Sequence, residues 1–222
     1  MAKKIILLVI CQILLSSNLI AKPSSFLRFG TNISKFRTEN GKSKPGISFG
    51  FGNEFPVSVF PNGFWGFTLC LNNKIIYLEK RTWKIYPHET NSQIGLGDID
   101  VNILYLELPI IIGRSIAKKD GSSLNIYTGF EVSVPIKNNT RITNQIFSQD
   151  NLTNGGKNYD YIPVDENYIT PTTGLLLGAS LSSEKISFIV NSAWGLVNTT
   201  GFTNLNVKDK IDTFELLLAI WL

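Results

Sequence analysis

The chain has 222 residues, 17% of them charged and 43% hydrophobic, with 18 Gly but only one His and one Met. The charged share lies well below the roughly 25% of soluble domains, which excludes a disordered chain, a coiled coil and a metal centre built from histidines. The formal net charge of +4 comes without a dense Lys/Arg stripe, so no nucleic-acid partner is expected.

Taken in chain order, the first segment reads as a signal peptide. Lys3 and Lys4 form a basic start, residues 5–15 an apolar run, and Ser16-Ser17-Asn18 a break. The run is too short to span a membrane as a helix and has the length of a secretory h-region. Ala21 is a small residue before Lys22, so cleavage is expected there, with 1–21 as signal peptide and 22–222 as the barrel domain. Cys11 is not a lipoprotein cysteine, because apolar residues continue after it and no Ala or Gly precedes it. Signal removal leaves Cys70 alone, so the exported chain must be stable without an intramolecular disulfide.

The remainder alternates with period two, broken by Gly, Asn, Pro and Ser clusters. Eight runs are expected, at 26–36, 46–54, 63–83, 99–114, 124–136, 172–181, 185–197 and 211–222. Their two faces differ in kind. In the fourth, Leu104, Leu106, Leu108, Ile110 and Ile112 oppose Tyr105, Glu107, Pro109, Ile111 and Gly113. In the last, Phe214, Leu216, Leu218 and Ile220 oppose Thr213, Glu215, Leu217 and Ala219. One face is bulky and aliphatic, the other small, Gly-rich and polar. That is the pattern of lipid outside and a polar lumen inside. The fold class expected is all-β, an eight-stranded antiparallel up-and-down transmembrane β-barrel. A soluble β-sandwich would share the alternation.

Connections supply a second argument. Segments 55–62, 115–123 and 182–184 read as inner turns, and 37–45, 84–98, 137–171 and 198–210 as longer outer loops. Long loops on one side and short turns on the other suit a barrel with both termini on the periplasmic side. Phe26, Phe29, Phe64, Trp65, Tyr77, Trp83, Trp194 and Trp221 stand near run ends, where interfacial girdles form.

Several segments, in order, resemble the PorT-like outer-membrane β-barrel family. FLRFGTNISKF (26–36) is similar to its opening strand, YLELPIIIGRS (105–115) to its fourth, NIYTGFEVSVPI (125–136) to the Tyr-x-x-Gly strand that follows, and TGLLLGASL (173–181) to its Gly-rich sixth. Leu106, Glu107, Leu108 and Pro109 match the most specific element. The chain departs from the family at Asn191, where an Arg is frequent, and in ending Trp221-Leu222. The resemblance implies a porin-like, eight-stranded barrel in a Gram-negative cell outer membrane, with no single activity attached.

Chemistry is sparse. His88 lies in a loop without flanking residues that would make it a base. Asp98 and Asp100 share a face in a Gly-rich stretch, read as a solvated strand start instead of a calcium site. No catalytic, metal or cofactor-binding residue is expected, and no cofactor. The lumen face carries Arg28, Glu54, Glu107, Glu131 and Glu215. Buried charges must be paired or wetted, so a lumen network of Arg28, Glu107, Glu131 and Glu215 is expected, with Glu107 the leading partner of Arg28. Tyr159, Asp160, Tyr161 and Tyr168 in the longest loop form an expected contact surface, and Lys74, Lys80, Arg81 and Lys84 a basic outer end of the third hairpin. The expected partners are outer-membrane lipid and a protein met by the loops. The function expected is a non-enzymatic scaffold presenting extracellular loops in secretion or surface assembly. A small channel or a lipid A-modifying barrel enzyme is the alternative, and a soluble periplasmic β-protein the next.

Overall fold

The computed structural model describes residues 24–37, 41–57, 61–85, 93–119, 121–139, 141–147, 171–197, 199–202 and 207–222. Eight strands close a ring: β1 (Ser24–Phe36), β2 (Gly41–Val57), β3 (Gly63–Ile85), β4 (Gln93–Lys119), β5 (Ser122–Asn138), β7 (Thr172–Ser182), β8 (Ile186–Gly195) and β11 (Ile211–Trp221). Each pairs antiparallel with its neighbours, and β1 closes on β11 from Phe26↔Trp221 to Phe36↔Ile211. The expected eight runs are these eight strands. Closure gives each of the eight strands a neighbour on both sides along the paired stretch, which removes the free sheet edges there.

Three short strands add to the ring. β6 (Arg141–Phe147) pairs with the far end of β4, from Asp100↔Arg141 to Gly95↔Phe147. The segment 137–171, read as one loop, therefore begins with strand structure. β9 (Thr199–Phe202) and β10 (Val207–Asp209) form a separate hairpin.

The two ends of the barrel differ. At the turn end, β4 runs to Lys119 and β5 starts at Ser122, and β2 runs to Val57 with β3 starting at Gly63. Both connections are tighter than the alternation alone suggested. Gly121 takes φ +76° in its turn, a conformation that a side chain would resist. At the other end β3 and β4, of 23 and 27 residues, stay paired out to Ile85↔Gln93. β8 has only 10 residues. β3 runs seven residues past Leu78, its last pairing with β2, roughly 23 Å of strand at about 3.3 Å per residue.

Period-two alternation puts the aliphatic face outward. Phe29, Ile33, Phe49, Leu69, Ile126, Phe130, Leu177, Phe188, Leu216 and Ile220 are all exposed. Monomeric soluble proteins rarely carry an apolar surface so continuous. Charges border this band on both sides. Arg37–Asp212 (2.5 Å), Lys42–Glu79 and Lys44–Asp100 (2.9 Å) mark the loop end. Arg114, Lys118, Lys119 and Lys185 are exposed at the turn end. Asp98 and Asp100 face outward together, bonded to Tyr77 and Lys44 respectively.

The expected aromatic girdle is only partly outward. Phe29 and Trp194 are exposed, and Trp65 stacks on Phe55 at 4.5 Å. Phe26 and Phe64 point inward and are buried, which corrects their assignment. Trp221 is inward too, with its ring 5.0 Å from Phe26 and its Nε1–H donated to Ser187 Oγ at 2.7 Å. Strand parity decides this, since Phe26 shares the face of Arg28, and Trp221 that of Glu215. The side chain of Trp83 lies outside the described residues.

Candidate functional site in the barrel lumen

β3 is a ruler for the lumen. From the turn end, its inward residues are Phe64, Gly66, Thr68, Cys70, Asn72, Lys74, Ile76 and Leu78. They run from aromatic through small and polar to charged and then aliphatic, and the other strands follow the same layers.

The charged layer holds all four residues of the expected network. Arg28, Glu107, Glu131 and Glu215 are buried inside the barrel. Their pairing differs from the expectation. Glu107 is bridged by Lys74, Nζ to Oε1 at 2.7 Å, and Arg28 makes no salt bridge to it. Lys74 also reaches Glu131 at 3.7 Å and lies 5.1 Å from the centre of the Tyr105 ring. Lys74 therefore does not belong to a basic outer surface. It sits on the face of Asn72 and Cys70, two and four residues away, and the same parity in the sequence would have placed it there. The side chains of Lys80, Arg81 and Lys84 lie outside the described residues.

Asparagines join the charges together. Asn72 Nδ2 donates to Glu107 Oε2 and to Glu215 Oε1, both at 2.8 Å. Asn191 Nδ2 donates to Glu215 Oε2 at 3.0 Å, and its Oδ1 accepts from Tyr127 OH at 2.6 Å. Ser133 Oγ donates to Glu107 Oε1 at 3.2 Å. Asn32 Nδ2 donates to Asn72 Oδ1 at 2.5 Å, and Ser34 ties Asn32 to Thr213. The network therefore links β1, β3, β4, β5, β8 and β11 across the ring. Asn191, noted above as a departure from an Arg, holds Glu215 in place with a neutral amide.

Arg28 stands slightly apart. Its Nη2 donates to Cys70 Sγ at 2.6 Å, and Glu215 and Glu107 act on it through space. The thiol is buried and free, as a small packing residue would be.

Towards the loop end the inward face becomes apolar. Ile76, Leu78, Ile99, Val101 and Ile103 are at most 1% exposed, and Phe36 joins them. Beyond the charged layer, the inward face of β3 and β4 is thus aliphatic and shielded from solvent, with Asn138 and Asp209 buried at the same end. Towards the turn end the lumen opens into a polar mouth of about 560 Å³, bordered by Glu54, Ser115, Lys118, Asn125, Ser182 and Trp221.

This arrangement suits cohesion better than turnover. The carboxylates are bonded to Lys74, Asn72, Asn191 and Ser133. Among the described residues no group of three metal-ligating side chains converges. His88, Tyr159, Asp160, Tyr161 and Tyr168 lie outside the described residues.

No family model matches the chain, and no curated relative matches it. Among solved structures it is similar to Neisserial surface protein A (NspA), at 9% identity over 91% of this chain and 97% of that one, with a TM-score of 0.44. It is also similar to Ail, the attachment invasion locus protein of Yersinia pestis, at 12% identity over 92% and 100% with a TM-score of 0.39. The translocator domain of the autotransporter NalP from Neisseria meningitidis follows at 9% identity over 99% and 95%, with a TM-score of 0.33. The barrel stands on the chain's own strand pairing, and scores at this level add nothing to it.

Proposed function

We propose that the chain is a non-enzymatic outer-membrane barrel that presents its loop end to a protein partner at the cell surface. The carrying observation is the apolar outward band bordered by charges, combined with a β3–β4 wall that outgrows the ring and adds β6. An outward band of this kind matches a bilayer, and a wall above it is surface offered to something outside. The proposal includes a signal peptide at 1–21, a mature barrel from 22, and membership of the PorT-like family on the motifs quoted above. Tyr159, Asp160, Tyr161 and Tyr168 are proposed as part of the contact surface. The role as a scaffold in secretion or surface assembly belongs to the same reading. The aliphatic layer over the charged one speaks against a small channel, since conduction needs a continuous wet path.

Two measurements test the membrane part. The protein, extracted from an outer-membrane fraction in detergent, should migrate differently in SDS gels before and after boiling. Recovery in soluble form without detergent overturns the proposal. The second uses Leu216, which faces outward halfway along β11 and is 51% exposed. In lipid, Leu216→Arg should cost roughly 2–4 kcal/mol near the bilayer midplane. On a water-facing surface the same change would stay within about 0.5 kcal/mol. Unfolding in urea from liposomes distinguishes the two.

A further inference from the structure

A small internal cavity of about 20 Å³ lies between the charged layer and the polar mouth, lined by Arg28, Glu54, Thr68, Tyr127, Asn191 and Trp221 among others. Arg28 is buried, and its Nε–H finds no hydrogen-bond acceptor in the protein. A buried donor without a partner costs roughly 1–3 kcal/mol, and for a charged group more. Arg28 lines this cavity together with Glu54, Ser180, Ser187 and Asn191, while apolar groups such as Ile111 and Leu176 make up the larger part of its wall. One water needs about 10–15 Å³ by the same kind of measure and two to four polar partners. The cavity therefore has room for one water and little more, and its walls supply the partners.

We propose that this cavity is a built binding site for a single buried water, held between Arg28 Nε and the Glu54 carboxylate. The occupant is neutral because of the charges nearby. Arg28 and Glu54 are the charged groups in the cavity wall, and Lys74 with Glu107, Glu131 and Glu215 belongs to the charged layer beyond it. A halide would add negative charge to a surplus of carboxylates. Water can accept from the guanidinium and donate to Glu54 in one step. Glu54 and Trp221 border both this cavity and the open mouth, so they form the neck through which the water exchanges. The lower lumen is then wet from the turn end only, with the aliphatic layer as its far wall.

The test is a diffraction structure of the unmodified protein in detergent or lipidic phase, with a second data set from crystals grown in sodium bromide. The expected result is one ordered solvent peak within about 3.2 Å of Arg28 Nε, with no anomalous bromine signal there. A bromine signal makes it an anion site and overturns the proposal. An empty site, or Arg28 Nε bonded to a protein group, overturns it as well. A solution measurement adds the exchange route. The Arg28 Hε resonance in micelles should show a cross-peak to water, and Trp221→Ala should speed its exchange several-fold. Unchanged exchange in a folded Trp221→Ala barrel removes the neck.

Discussion

Lys74→Met should lower the unfolding free energy of the folded barrel by roughly 3–5 kcal/mol, the cost of breaking a buried ion pair from one side. The Lys74 and Glu107 side chains are 4% and 1% exposed, so solvent does little to screen the loss. Without the ammonium, Glu107 and Glu131 share a layer with Glu215 and keep no lysine between them. The methionine retains most of the volume, which separates the charge effect from a cavity effect. Urea-induced unfolding from liposomes, followed by tryptophan fluorescence, gives the number. The double change Lys74→Met with Glu107→Gln should recover a large share, because it removes the stranded charge as well. A Lys74→Met barrel as stable as the parent would show that the layer is held by its asparagines alone.

Gly30→Val should abolish the unboiled, SDS-resistant form altogether. Gly30 lies in β1 opposite Leu217 of β11, on the seam where the first and last strands close the ring. A Cβ at this position would run into the Leu216 carbonyl oxygen and come within 2.8 Å of Leu217 Cα. Both are backbone atoms of the partner strand, so no rotamer change relieves the contact. Closure is the step that satisfies both sheet edges in a hydrocarbon environment, where unpaired backbone groups cost several kcal/mol each. A substitution that spreads this seam should therefore act on folding as a whole. Ser at the same place still carries a Cβ and should fail similarly. A heat-shifting band from Gly30→Val would show that β1 can slide or tilt away from β11.

The fold was legible because its signal repeats. Eight separate stretches alternate bulky with small residues, and each reports the same two environments, so an error in one is outvoted by the others. The lumen residues Arg28, Glu107, Glu131 and Glu215 could be read from parity alone, since a polar residue on the small face of a lipid-facing strand has only the interior to enter. Lys74 carried the same parity, but its place near charged neighbours Lys80 and Arg81 made it look like surface. Phe26 and Trp221 misled in the opposite way. Their position near strand ends suggested a girdle, whereas their parity put them inside.

What the sequence determined by itself is therefore local and periodic: which eight stretches form the ring strands, though not their exact ends, and which face a side chain takes. Backbone geometry forces these through a two-residue repeat that needs no knowledge of other strands. The partners across the lumen depended on tertiary structure. Lys74 meets Glu107 and Asn191 meets Glu215 only after the ring closes, because strand register and stagger set which layers coincide. The extra height of β3 and β4, and the placing of β6 on β4 instead of in the ring, were decided in the same way. They depend on pairing between distant segments, which alternation within one strand does not encode.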